Sequence, residues 1–123
     1  MAFRFEGLEI FQLALEFARA VYELTKRFPK EEVFGLTANQ RRAATSIALN
    51  IAEGAGRGTK REFAHFITVA SGSLFETVAG FLLAEKLGFV RPTELAELRV
   101  KAELLAKKLN SFKHSLLTIS HKP

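Results

Sequence analysis

Apolar and polar positions recur with the period of an α-helix in four segments of the chain, parted by short polar or glycine-rich runs. From Leu8 to Phe28 the polar residues Glu9, Gln12, Glu16, Arg19, Glu23 and Lys26 step by three and four, marking one solvent stripe. Nearly everything else there is apolar, an arc wider than one partner helix covers. Pro29 should end the helix, because it lacks an amide donor and disfavours helical geometry in the residue before it. The connector that follows carries Val33, Phe34 and Leu36 and is expected to fold back onto the core.

A second helix is predicted over residues 37–54, opened by Thr37 and Gln40 at the spacing of a capping box. Ala44, Ile47, Ala48 and Ile51 form its core face, Arg42, Ser46, Asn50 and Glu53 a polar ladder, and Gly54 its left-handed cap. The third helix, over residues 59–87, opens with another capping box, Thr59 with Glu62, and is capped by Gly88. Gly72 and Gly80 lie inside it, each costing roughly 1 kcal/mol against alanine; the usual reason for such glycines is close approach by another element. The fourth helix follows Arg91-Pro92 over residues 93–119, with Leu95, Leu98, Ala102, Leu105, Leu109, Phe112 and Leu116 as a narrow bundle seam. Together these elements predict an all-α fold, an antiparallel up-and-down four-helix bundle that makes residues 1–123 one domain. The first and third helices carry more apolar surface than a lone bundle buries, so a homo-oligomer is expected.

Composition adds direction. All 13 acidic residues are Glu, a better helix former than Asp. There is no Cys, which excludes disulfides, thiolate metal sites and Cys nucleophiles. Residues 63–84 come nearest to a membrane span, but Glu76, His65 and several Ser and Gly favour the central helix of a soluble bundle. The chain's start lacks the apolar core of a leader, so a cytoplasmic protein without membrane contact is expected. The net charge of +5 is uneven: residues 1–53 hold seven Lys/Arg and seven Glu, residues 54–123 eleven and six. Such a bias is a weak pointer to a polyanionic partner.

The glycine-rich run Gly54-Ala-Gly-Arg-Gly-Thr-Lys60 has neither the spacing nor the preceding strand of a nucleotide-binding loop. A helix start flanked by Arg57, Lys60 and Arg61 still favours an anion such as a backbone phosphate, against the alternative of a solvated turn. Arg41 and Arg42 sit where cations oppose the helix dipole, which suggests either a phosphate contact or pairing with Glu on a neighbouring helix. Ser46, Asn50 and Glu53 lack a nearby base and are expected to form a hydrogen-bond network across the bundle, not a catalytic group. His65, His114 and His121 have no metal-ligand spacing. The 12 Phe mostly fit core positions, so no surface for base stacking is expected. No catalytic residue, metal, cofactor or small-molecule substrate is foreseen.

The ordered set Arg42, Ser46-Ile47, Asn50-Ile-Ala-Glu-Gly54, Gly56-Arg57, Phe63, Phe66, Ala70, Gly72-Ser73-Leu74, Glu76 and Leu87-Gly-Phe89 resembles the proteins encoded by intervening sequences of bacterial 23S ribosomal RNA genes. The likeness runs from about Phe5 to Leu117. It implies a left-handed four-helix bundle assembled into a ring, with a pentamer expected, and a role in binding rRNA or other nucleic acid. Within the shared pattern Ser46, Asn50, Glu53, Gly54, Gly56, Ser73 and Glu76 are expected to be structural. The chain departs from the pattern at Val78-Ala79-Gly80, where the family commonly has Glu-Thr-Gln, so an inter-subunit surface could be apolar here. Two readings follow: a non-enzymatic oligomer that binds structured RNA, or a scaffold for a ribosome- or polymerase-associated protein partner.

Overall fold

The computed structural model describes residues 3–118. Four helices make up nearly all of it: α1 (Glu9–Thr25), α2 (Leu36–Ala55), α3 (Lys60–Lys86) and α4 (Pro92–Thr118). Single 3-10 turns, Arg4–Gly7 and Lys30–Glu32, precede α1 and α2. Helix α1 packs on α2 and α4, and α3 on the same two; no diagonal pair approaches closely among the described residues. The short connectors and this ring of neighbours make an up-and-down four-helix bundle. The core runs along its axis through Ile10, Phe17, Ile47, Ile51, Ile67, Leu74, Phe81, Leu98, Leu105 and Leu109. The expected helix end at Ile119, and with it His121 and Lys122, lies outside the described residues.

Several helix ends follow the sequence signals. Thr59 caps α3, its hydroxyl accepting from the Glu62 amide at 3.0 Å. At the far end Gly88 adopts φ +80°, and the amides of Gly88 and Phe89 return to Glu85 and Ala84. Pro92 takes the first position of α4, and Glu94 reaches back to accept from the Arg91 amide at 3.0 Å.

Others do not. Helix α1 stops at Thr25, short of Phe28, and the chain turns so that Phe28 enters the core. The Thr25 hydroxyl donates back to the Val21 carbonyl at 2.8 Å. Thr37 and Gln40 do not cap α2: Gly35 holds the cap position, and the Glu32 carboxylate accepts from the Leu36 amide at 3.0 Å. Gln40 is instead fully buried and donates to the Thr77 carbonyl of α3 at 2.6 Å. The connector does not fold wholly inward, since Phe34 is 95% exposed.

The glycines separate by use. Gly54 does not end α2 but lies buried within it, where a Cβ would sit 2.7 Å from the Phe66 side chain and 2.8 Å from Phe63. Gly80 makes room for Gln40, whose amide oxygen would be 1.9 Å from an added Cβ. The amide expected by family likeness at position 80 is thus replaced by one reaching in from α2. Gly72 has nothing within 4 Å and lies exposed on the outer face of α3.

Helix α3 is long and apolar enough to cross a membrane by length and composition. In the bundle its Phe63, Ile67, Leu74 and Phe81 face the core, while Val69, Phe75, Leu82, Leu83 and Leu87 remain exposed.

Candidate nucleic-acid interface

The bundle end that holds the α2–α3 turn also receives the chain's first described turn and the last turns of α4. A cleft of about 350 Å³ forms there. Arg4, Arg57, Gly58, Thr59 and Lys60 line it, over an apolar floor of Phe5, Leu8, Phe63, Phe112 and Leu116. Each wall is anchored. The first turn is tied to α1 by the Gln12 amide, which donates to the Glu6 carbonyl at 2.9 Å, and by the Phe5–Phe11 ring contact at 4.9 Å. Phe63 and Phe112 join α3 to α4 with ring centroids 5.1 Å apart. The Thr59 cap fixes where α3 begins, which sets Lys60 at the rim.

The charges are arranged unevenly. Arg57 donates to Glu53 at 2.8 Å and lies over the Phe66 ring at 4.8 Å, so its charge is partly offset and its position held. Arg4, Lys60 and Arg61 are exposed, and their side chains have no partner among the described residues. A helix start also leaves several backbone amides without intrahelical partners. Three unpaired cations beside such a start make an anion-attracting surface.

Arg41 and Arg42 lie elsewhere, about 20 Å back along α2 by its rise per residue. Arg41 is half-buried, donates to the Thr25 hydroxyl at 2.9 Å and lies over the Tyr22 ring at 4.7 Å, strapping α2 to α1. Arg42 donates to Asn39 at 2.6 Å and stands 3.9 Å from Glu76 on α3. Pairing with a neighbouring helix is therefore where these two are used.

The polar ladder of α2 meets α3 midway. Ser46 and Ser73 share a hydroxyl–hydroxyl bond of 2.9 Å, and the Asn50 amide donates to both the Ser46 carbonyl and hydroxyl. Glu53 stands apart from them, exposed and paired with Arg57. Gly56 carries the α2 cap, its amide returning to Ala52 and Glu53. No group of His, Glu, Asp or Cys able to hold a metal occurs among the described residues.

The family model for the 23S rRNA-intervening sequence protein matches residues 6–111. The chain belongs to that family. No curated protein matches it. As a 23S rRNA-intervening sequence protein it carries the motif residues from Arg42 to Glu76 within the matched stretch, but Arg4, Phe5, Phe112 and Leu116 fall outside it. Those four were missed by sequence reasoning. The two Phe read as core positions, and nothing in the sequence shows that the first turn lies beside the end of α4.

A second exposed region is apolar. Between α3 and α4 runs a groove of about 300 Å³ whose lining includes Phe75, Val78, Ala79, Leu82, Ala102 and Ala106. Val78 and Ala79 are the positions where the family pattern is polar. Phe75 is 66% exposed beside this groove.

Proposed function

We propose that this protein is a non-enzymatic, homo-oligomeric RNA-binding bundle, and that the basic cleft end contacts phosphates of structured RNA. The reading is carried by one observation: unpaired Arg4, Lys60 and Arg61 surround a concave site at the start of α3, with Arg57 held beside them. Membership of the 23S rRNA-intervening sequence protein family supports an RNA partner. Contacts made through phosphates position a protein without reading sequence, so binding is weakly sequence-specific. Arg41 and Arg42 contribute less, being engaged in bundle contacts.

The homo-oligomer rests on the outer face of α3 and its groove with α4, where large apolar side chains lie exposed together. Contiguous apolar surface of this kind marks an interaction site. Gly72, open on that face, lets a second backbone approach closely. A ring is the assembly expected for the family, a pentamer its expected size, and the cytoplasm the expected location.

The test is a mobility shift with structured rRNA fragments at low and moderate salt. The wild-type protein should bind at low salt, and the Arg57→Ala/Lys60→Ala/Arg61→Ala variant should bind far more weakly. Absence of binding at low salt, or equal binding by the variant, rejects the reading. Phe34 favours the second reading, a protein-docking scaffold, because so exposed a Phe has no use within the bundle. That reading expects one protein partner to be retained stoichiometrically after nuclease treatment and lost in Phe34→Ala.

A further inference from the structure

The basic cleft has a property that phosphate contact alone does not use. Its floor is aromatic and aliphatic, and a fully hydrated phosphate gains nothing from such a surface. Phe5 and Phe112 are only half-buried, so part of each ring stays open where they line the cleft. Lys60 and Arg4 stand at the same site with no partner among the described residues. The site therefore offers two chemistries within one small space: cations, and a planar apolar surface.

We propose that the cleft receives one unpaired nucleotide of a structured RNA, its base against Phe5 and Phe112 and its phosphate beside Lys60, Arg57 and Arg4. This rests on the RNA-binding reading above and narrows it to a class of target. A base inside a duplex has both faces covered by its neighbours and cannot reach a floor of this kind. A bulged, looped or terminal nucleotide presents its face and its phosphate together, and proteins commonly read RNA at such places by stacking. The cleft volume of about 350 Å³ is at the small end for ligand sites, suited to one nucleotide and too small for a stacked run. Pre-organisation adds to this, because the first turn, α3 and α4 are already tied together by Gln12, Thr59 and the Phe63–Phe112 contact. Four of the residues concerned, Arg4, Phe5, Phe112 and Leu116, lie outside the stretch matched to the family.

The experiment compares two RNA hairpins with the same stem, one fully paired and one with a single bulged adenine, by fluorescence anisotropy at low salt. Stacking of one base is a factor of roughly five to 150 in affinity, and the bulged hairpin should bind tighter by an amount in that range. Phe5→Leu and Phe112→Leu, which keep an apolar side chain but remove the ring, should each bring the ratio of the two affinities toward one. Phe5 lies outside the four helices, so its variant reads the ring even if Phe112→Leu destabilises the bundle. Equal binding of the two hairpins by the wild-type protein, or an unchanged ratio in Phe5→Leu, overturns the inference while leaving phosphate-mediated RNA binding intact. Failure of both hairpins to bind overturns the RNA-binding reading itself.

Discussion

Side chains at the ends of the helices decide how this bundle is held together. Gly80→Ala places a methyl group on top of the buried Gln40 amide, so the gain in helix propensity is outweighed by overpacking. Urea denaturation should show a loss of about 1–3 kcal/mol. Gly72→Ala, with open space around it, should instead stabilise each subunit by about 0.5–1 kcal/mol. Equal effects at the two positions would show that Gln40 does not occupy the space seen beside Gly80. Glu94 gives a pH signature. Hydrogen bonds from the Arg91 amide and then the Arg27 guanidinium hold its carboxyl below the usual carboxylate range. A group with a lowered folded pKa contributes stability above its unfolded pKa and loses it as pH falls through the folded value. Glu94→Gln should therefore be less stable than wild type near neutral pH, with the gap in Tm closing under acid. A gap independent of pH would mean the carboxylate charge is not what these bonds use.

Among the elements, α3 carries the most distinct burden, because one face builds the core and the opposite face is apolar and uncovered. Phe75→Glu puts a charge on that face without touching the core. Light scattering should then report a smaller assembly than wild type, with helical content by circular dichroism unchanged. A monomeric wild-type protein would remove the need for this face altogether. The four helices were legible because their periodicity and most end signals agree: Thr59 with Glu62, Gly88 and Pro92 act where local chemistry says they should. Thr37 and Gln40 carry the same signal as Thr59 and Glu62, yet tertiary packing redirected both inward, and Glu32 took over the cap. Gly54 was misread for a related reason. Its absence of a side chain serves the approach of Phe63 and Phe66, a contact between helices that local sequence does not display. The cleft was half legible. Arg57, Lys60 and Arg61 stand together in sequence, whereas Arg4, Phe5 and Phe112 reach them only because the up-and-down topology brings the first turn, the α2–α3 turn and the end of α4 to one end.

At the scale of the whole molecule, the account divides the surface into two working regions. The apolar flank of α3 and α4 joins copies, and the basic end faces RNA. The two are compatible, since Arg4, Arg57 and Lys60 line a cleft separate from the groove lined by Phe75 and Val78. Assembly into a ring would repeat the basic end once per subunit, so modest single contacts would add through multivalency. Phe75→Glu is accordingly expected to weaken RNA binding as well as assembly, although it lies outside the cleft. The most direct test of the central claim is the salt dependence of RNA affinity. Each phosphate contact contributes roughly 0.7–0.9 to the slope of log affinity against log salt concentration. The account predicts a steep negative slope for the wild-type protein, and a slope shallower by about two for Arg57→Ala/Lys60→Ala/Arg61→Ala, from three lost contacts per subunit engaged. The same slope in both proteins would contradict it.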